Sequence, residues 1–219
     1  MNEDIEYIKK VTREDCILFS DFDTKYNVET SHPLVEAEDK TYGKFKPTYI
    51  DNSDKYAESQ GYQNTALPFI DLANEYLKED PNIGNYAFVD IGAGKGRVIL
   101  HTLATNDIYN HYIGVEIDPD LASIFENNLN KTNIAITKTV KVKVHDARDV
   151  ILENEPTVFF LFRPFTAQAW HEFMNFNKDK MKDCYFVLIH EYDYTFEDYL
   201  KVEKVYSNPA VTIYKTLVD

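Results

Sequence analysis

The feature that most constrains this chain is a glycine-rich stretch that lies between a strand pattern and a helix pattern. Residues 88–98 read FVDIGAGKGRV, with glycines at positions 92, 94 and 96. Alternating glycines let a backbone turn sharply and approach a ligand closely. The start of the following helix adds unpaired N–H groups and a partial positive charge, which suit a carboxylate or a phosphate. The stretch therefore predicts a ligand-binding turn, with a purely structural turn as the alternative.

The spacing of these glycines differs from two common nucleotide-binding patterns. It is not G-x-G-x-x-G, so a nicotinamide dinucleotide is the second choice of ligand. It also lacks the four residues between glycines, and the Lys-Ser/Thr pair, of the Walker phosphate loop. Asp90 stands two positions before the first glycine. We expect its carboxylate to point into the crevice in which the turn would bind its ligand.

Strand and helix patterns alternate along the chain from about residue 65. The strand patterns lie at 87–89, 111–115, 140–144, 158–162 and 185–189, with a terminal hairpin at 202–206 and 211–214. The helix patterns lie at 65–79, after Gly96, at 121–129 and at 173–181. This alternation predicts an α/β fold with an open, mostly parallel sheet, helices on both faces and an antiparallel pair at the end.

The charge of the chain bears on its partners. It has 23 basic and 37 acidic residues, a formal charge of −14. Holding nucleic acid by phosphate neutralisation requires a basic face. The acidity therefore argues against a nucleic-acid partner, although it leaves room for a small basic patch.

Cysteine count and apolar runs bear on the compartment. Cys16 and Cys184 are the only cysteines, which excludes a disulfide framework and a four-cysteine zinc site. The longest strongly apolar runs, 158–162 and 185–189, are far shorter than the ~20 residues of a membrane helix. The charged N-terminus lacks the apolar core of a signal peptide. We expect a cytoplasmic protein with no membrane partner.

The first 60 residues differ in composition from the rest of the chain. They are rich in Asp, Glu, Lys, Thr and Tyr, and a loose helical spacing occurs near their start. We predict an N-terminal cap segment over 1–60 and one main domain over 61–219.

Two further acidic residues end predicted strands. Glu116 follows the second strand, 20 residues after Gly96, and Asp146 follows the third. Carboxyl ends of parallel strands meet at one edge of a sheet, so Asp90, Glu116 and Asp146 should share one crevice. There Glu116 can accept from both ribose hydroxyls, and Asp146 can read an adenine edge. The alternative for Glu116 and Asp146 is helix capping.

These residues resemble the motifs of class I S-adenosylmethionine-dependent methyltransferases. Residues 90–96, Glu116 and Asp146 carry the resemblance, which covers roughly 60–219. It implies a Rossmann-like, doubly wound seven-stranded sheet whose last strand is antiparallel, with S-adenosylmethionine as cofactor. The implied roles are the methionine end for Asp90, Gly92 and Gly94, the ribose for Glu116, and the adenine for Asp146 and Ala147. Ala93, Ile117 and Phe162 are assigned to the same site.

Two elements before the motif resemble a group of small bacterial-type methyltransferases of mostly unassigned substrate. One is GYQNT at 61–65, where Asn64 replaces the usual Pro, and the other is FDTKYNVET at 22–30. The resemblance implies an N-terminal helical cap over the cofactor. It places Tyr26, Tyr62 and Thr65 at the cofactor.

The end of the fourth strand departs from that group. It reads LFRPF at 161–165, with Arg163 where the group usually has Asn. Enzymes that methylate amines of nucleic acids use oxygen acceptors at this position, whereas arginine has donors only. Arg163 is therefore predicted to hold an anionic substrate group. Its alternative is an ion pair with one of the many surface acids.

The fifth strand is followed by HEYDY at 190–194. His190 and Glu191 are candidates for a general base on the substrate nucleophile, with helix capping as the alternative. The spacing is not diagnostic of a metal site, and no metal is predicted.

The sequence thus predicts a methyltransferase that transfers a methyl group to N or O of a small-molecule or protein acceptor. A protein-lysine methyltransferase is the second possibility, because an acidic surface attracts basic partners. A possibility from another class is a catalytically inactive protein that retains the cofactor site.

Overall fold

The fold is that of a computed structural model, which describes residues 10, 21–31, 64–150, 152–190 and 194–217. Apart from residue 10, the predicted helix near the start of the chain lies outside the described residues, as do Tyr62 and Glu191.

The described residues form one mixed sheet of seven strands. The strands are β1 (Ala87–Ile91), β2 (His111–Glu116), β3 (Val140–Val144), β4 (Thr157–Leu161), β5 (Cys184–Ile189), β6 (Val202–Ser207) and β7 (Val211–Thr216). Their order is β3-β2-β1-β4-β5-β7-β6. The first five pair in parallel, and β7 is antiparallel to both β5 and β6. The predicted seven-stranded, Rossmann-like sheet with an antiparallel last strand is confirmed.

Burial follows the position of each strand in the sheet. β1, β4 and β5 lie centrally and are buried along their whole length. They are nearly continuous apolar runs because helices cover both faces of a parallel sheet. β3 lies at one edge of the sheet, and its alternating lysines leave it only partly buried.

Helices cover both faces of the sheet. In chain order they are α1 (Asp21–Tyr26), α2 (Leu67–Leu77), α3 (Arg97–Thr105), α4 (Pro119–Lys131) and α5 (Ala167–Asn177). One core contains Phe69 of α2, Ile99 of α3 and Phe125 of α4, and the other contains Trp170 and Phe173 of α5. The aromatic residues around the end of β4 mostly belong to the core: Phe159, Phe160, Phe165 and Trp170 are all buried.

The prediction for the last helix was displaced. The sequence pattern gave 173–181, whereas α5 spans Ala167–Asn177. The Thr166 side chain accepts a hydrogen bond from the Ala169 N–H and starts the helix earlier than the apolar spacing indicated. Residues 178–180 form a separate 3₁₀ turn.

Gly96 makes the turn from β1 into α3 possible. It has φ +83°, a left-handed conformation that favours glycine, and it directly precedes α3. A Cβ atom at this position would lie 2.0 Å from Cδ2 of Phe125. Phe125 is completely buried in α4, so α4 packs directly on the backbone of the turn. The glycine is required by both backbone conformation and packing.

Replacing Gly96 by Ala should destabilise the protein strongly. The left-handed conformation and the clash with Phe125 together cost about 2 to 5 kcal/mol. Urea unfolding of Gly96→Ala should show this loss against the unsubstituted protein. The matched control is Gly84→Ala, since a Cβ at Gly84 meets only the Ile108 carbonyl oxygen at 3.8 Å. Equal stability of the two variants would contradict the packing described for Gly96.

Candidate functional site

The glycine-rich turn at residues 92–97, called the glycine turn below, is anchored to the carboxyl end of β2. The N–H groups of Gly92 and Ala93 both donate to the Val115 carbonyl oxygen, at 2.9 and 3.0 Å. The Gly94 N–H donates to Oε2 of Glu116 at 2.7 Å. Gly92 and Gly94 both have positive φ, so the chain can turn back on itself between these contacts. The sequence therefore brings Gly92, Ala93, Gly94 and Glu116 together.

The Glu116 carboxylate lies in this turn and is buried. Its Oε1 accepts from the Asp118 N–H at 2.9 Å, so main-chain N–H groups hold both oxygens. Burial raises its pKa, and the hydrogen bonds from Asp118 and Gly94 oppose that rise. Each oxygen has a second lone pair, so the carboxylate can still accept from ligand hydroxyls. Ile117 follows it, and the Asp118 side chain caps α4.

Asp90 is the second buried carboxylate of the crevice. It lies on β1 beside Gly114 of β2, and its Oδ2 has no hydrogen-bond partner among the described residues. Burial and the nearby charge of Glu116 raise the pKa of Asp90 to about 8. A cationic group placed here would reverse this effect, because it would stabilise the ionised carboxylate. The turn thus lies against two carboxylates with no described cation facing Asp90 Oδ2.

The chain after β4 forms another side of the crevice. A Cβ at Gly92 would lie 3.4 Å from Cβ of Pro164, so this segment approaches the turn closely. Phe162 is half-buried, and its ring centroid lies 5.6 Å from that of His190 after β5. Phe69 of α2 lies 5.5 Å from the same imidazole. Phe162 and His190 therefore meet at the ends of neighbouring strands.

Arg163 and His190 both have an unusual backbone conformation, and the pKa of His190 is shifted. Their φ values, 48° and 54°, are left-handed, a conformation that side chains other than glycine rarely adopt. Burial, and then the charge of Arg163, lower the pKa of His190 to about 4. The imidazole is therefore neutral at physiological pH and can accept a hydrogen bond, while the guanidinium nearby only donates.

Asp146 is already paired with a neighbouring side chain. Arg148 Nη2 donates to Asp146 Oδ2 at 2.7 Å, and the Arg148 N–H donates to Oδ1 at 3.0 Å. Burial raises the pKa of Asp146, but these bonds outweigh it and leave the pKa lowered. Arg148 also reaches Glu172 of α5 at 3.4 Å. Asp146 and Ala147 stand at the predicted place after β3, but the carboxylate caps its own turn.

The two described N-terminal candidates lie in different places. The Thr65 carbonyl oxygen accepts from Arg97 Nε at 3.1 Å, which brings Thr65 to the start of α3 beside the glycine turn. The Tyr26 carbonyl oxygen accepts from the Thr132 hydroxyl, just beyond the end of α4. The Tyr26 ring packs on Phe22, with the two ring centroids 4.9 Å apart. The cofactor role of Tyr26 stays a prediction without a described contact in the crevice.

Sequence reasoning missed three residues that shape the turn. Lys95 and Arg97 belong to the motif itself, yet both side chains are buried and reach residues 29–31. Asn128 is fully buried on the face of α4 that carries Leu121 and Phe125. A polar residue at such an apolar position was the signal, because buried amides need hydrogen-bond partners.

The described ranges lack two kinds of feature, a metal-ligand cluster and a membrane-spanning helix. They contain no group of three His, Cys, Asp or Glu side chains that could hold a metal ion. Among the helices of the described residues, none combines the length and the apolar character of a membrane span.

Comparison with known proteins gave matches in structure only. No protein-family model and no curated protein sequence matches the chain. A predicted N6-adenine-specific DNA methylase from Listeria monocytogenes superimposes with a TM-score of 0.52 and 13% identity, over 73% of this chain and 53% of that one. A magnesium protoporphyrin IX methyltransferase from Synechocystis, solved with bound S-adenosylmethionine, gives 0.50 and 12%, over 76% and 88%. The chain has the fold of the class I methyltransferases.

This fold does not support one expectation drawn from charge. The acidic composition argued against a nucleic-acid partner, but the fold is shared with a predicted DNA methylase. A net charge of −14 describes the whole chain and not the surface around one crevice. The class of acceptor is therefore open at the level of the fold.

The buried Asp90 predicts a pH-dependent effect on stability. The folded protein keeps a proton on Asp90 up to about pH 8, whereas its ordinary pKa is 3.8. Between these values folding takes up a proton, so this group makes the empty protein less stable as pH rises. Asp90→Asn removes the titration. The melting temperature of Asp90→Asn minus that of the unsubstituted protein should therefore be larger at pH 8 than at pH 5.5.

Asp80→Asn is the control for this measurement. Burial raises the pKa of Asp80, but bonds from Asn82, Tyr185 and Lys215 outweigh it and leave the pKa lowered. Asp80 is thus ionised throughout this pH range in both states. Its variant should differ from the unsubstituted protein by the same amount at both pH values. A constant difference for Asp90→Asn as well would contradict the raised pKa.

Proposed function

We propose that this chain is an S-adenosylmethionine-dependent methyltransferase that acts on N or O of an acceptor bound at the ends of β4 and β5. The observation that carries the proposal is the pair of buried carboxylates, Asp90 and Glu116, beside a glycine-rich turn. S-Adenosylmethionine carries an ammonium and a sulfonium, which suit such a crevice. A pyrophosphate there would face two carboxylates, so a dinucleotide suits it less well.

Each proposed cofactor contact follows from a described position. Glu116 accepts from the ribose hydroxyls with the lone pairs that the N–H groups of Gly94 and Asp118 leave free. Asp90 receives the cationic methionine end at its unpartnered Oδ2. Gly92 and Gly94, with Ala93 between them, let the backbone approach the methionine end of the cofactor. Thr65 lies beside the turn through its bond to Arg97.

The proposed contact with the adenine depends on how Asp146 is already paired. Asp146 and Ala147 follow β3, where the adenine belongs if Glu116 holds the ribose. Because Arg148 holds the Asp146 carboxylate, the adenine must compete for an oxygen lone pair or use main-chain groups of 146–147. Ile117 and Phe162 are the apolar candidates for the flanks of the base and the transfer point.

When bound, S-adenosylmethionine supplies an electrophilic methyl group on its sulfonium. The protein has mainly to align the acceptor with that methyl group and exclude water. His190 is neutral at physiological pH and accepts a hydrogen bond from the acceptor, which orients its nucleophilic atom. Arg163 binds a negatively charged part of the acceptor through its planar fork of donors. Glu191 is a candidate base because it follows His190 directly in the sequence.

The cofactor is tested by binding. S-Adenosylhomocysteine should raise the melting temperature, since a ligand that binds only the folded state stabilises it, and NADH should not. Glu116→Ala removes charge-assisted hydrogen bonds to the ribose, so the dissociation constant should rise at least about tenfold. The control, Glu126→Ala, removes an exposed carboxylate of α4 and should change nothing. A shift with NADH and none with S-adenosylhomocysteine would refute the proposal.

The acceptor is tested at Arg163. Methyl transfer from radiolabelled cofactor should be detected for carboxylate- or phosphate-bearing small molecules rather than for neutral amines. Arg163→Lys should reduce that turnover about tenfold or more although it keeps the charge, because the bidentate geometry is lost. Cofactor affinity should not change. Full activity of Arg163→Ala would show that the residue has no part in acceptor binding.

A further inference from the structure

Residues 21–31, the docking segment, pack against the glycine turn. The segment contains α1 and the turn that ends it, in which the Val28 N–H donates to the Asp23 carbonyl oxygen at 3.0 Å. Its contacts are with α3, α4 and the residues of the turn, through Arg97, Asn128 and Lys95. The cap predicted from sequence would lie over the cofactor. That placement stays a prediction, and the described part contacts Lys95 and Arg97 of the turn.

Asp23 gives the docking segment its shape. Its Oδ2 accepts from the N–H groups of Thr30 and Ser31, both at 2.8 Å, and its Oδ1 accepts from the Thr30 hydroxyl at 2.5 Å. One carboxylate thus holds together residues that lie seven positions apart in the sequence. Thr30 is completely buried.

Two buried cations of the glycine turn end on this segment. Lys95 Nζ donates to Glu29 Oε1 at 3.1 Å and to the Ser31 carbonyl oxygen at 3.3 Å. Arg97 Nη1 donates to the Thr30 hydroxyl at 3.1 Å. A charge that is buried without partners is strongly unfavourable. The docking segment therefore stabilises the one conformation of the turn in which Lys95 and Arg97 are buried.

Asn128 of α4 joins the segment to the main chain of the turn. Its Nδ2 donates to the carbonyl oxygens of Glu29 and Lys95, at 2.9 and 3.0 Å, and its Oδ1 accepts from the Glu29 N–H at 2.8 Å. On the crevice side the Gly94 N–H is held by Glu116. The turn is thus held from the crevice at Gly94 and from the docking segment and α4 at Lys95.

We propose that Asp23 is a positioning residue for the cofactor site: through Thr30, Arg97 and Lys95 it holds the glycine turn in its binding conformation. The inference rests on the proposed function, since it assigns that turn to the cofactor. Asp23 itself touches only its own segment in the described contacts. A preformed turn spares the ligand the entropy of ordering it, so the effect of Asp23 appears in cofactor affinity.

The test compares variants of the full chain by calorimetric titration with S-adenosylhomocysteine, well below the melting temperature. Asp23→Ala should raise the dissociation constant about tenfold, as expected for loss of hydrogen bonds that order the site. Asp23→Asn should stay within about threefold, because an Asn amide can make the same turn. Asp21→Ala removes an exposed carboxylate from the same helix and should bind like the unsubstituted protein.

Hydrogen exchange of the empty protein provides the second readout. Amides of residues 92–97 should exchange faster in Asp23→Ala than in Asp21→Ala, because the turn opens more often. If Asp23→Ala fails to fold, Thr30→Val replaces it. That variant keeps the shape of the side chain but removes the hydroxyl that links Asp23 to Arg97, and it should raise the dissociation constant at least about threefold.

The outcomes separate this inference from the proposed function. Unchanged affinity in Asp23→Ala and Thr30→Val, with or without a lower melting temperature, would show that Asp23 is merely structural and overturn the inference alone. Equal weakening in Asp21→Ala would overturn it too, because the effect would then be one of charge. No binding of S-adenosylhomocysteine by the unsubstituted protein would overturn the proposed function and the inference with it.

Discussion

The contact on which the candidate site depends is the hydrogen bond from the Gly94 N–H to the Glu116 carboxylate. It ties the turn after β1 to the end of β2, and the second oxygen of Glu116 ties the same point to the start of α4 through Asp118. The turn, the ribose-binding candidate and a helix start are thus joined by one side chain. Phe125 packs on Gly96 and closes the arrangement from the helix side, so the geometry of the turn follows from the packing of α4.

The charges of the crevice favour a cationic ligand and destabilise the protein when that ligand is not bound. Asp90 and Glu116 are both buried, burial raises the pKa of each, and the charge of Glu116 raises the pKa of Asp90 further. The two cations of the motif, Lys95 and Arg97, point to the docking segment instead. An uncompensated buried carboxylate destabilises a fold unless it is protonated or paired. A cationic ligand supplies the missing partner. This is the physical reason to connect the glycine turn with S-adenosylmethionine rather than with a phosphate.

Much of the fold was predictable because β1, β4 and β5 are nearly continuous apolar runs and the glycines mark one turn. Glu116 was predictable from its distance to that turn, and the hydrogen bond to Gly94 places it there. The start of α5 was not, because the Thr166 cap acts before the apolar spacing begins. Nor was the engagement of Asp146 by Arg148, which depends on a side chain two residues along. The docking segment was recognised as an element, but its position could not be read, since it depends on contacts with Asn128 nearly one hundred residues away.

The central claim is that the crevice between the glycine turn and Glu116 holds S-adenosylmethionine. A crystal structure of the full chain with S-adenosylhomocysteine tests it most directly. We predict density in that crevice, with the ribose hydroxyls hydrogen-bonded to Glu116 and the amino group on the side of Asp90. Density elsewhere, such as in the roughly 570 Å³ groove beside Arg148 and Phe176, with the glycine turn left empty, would contradict the account.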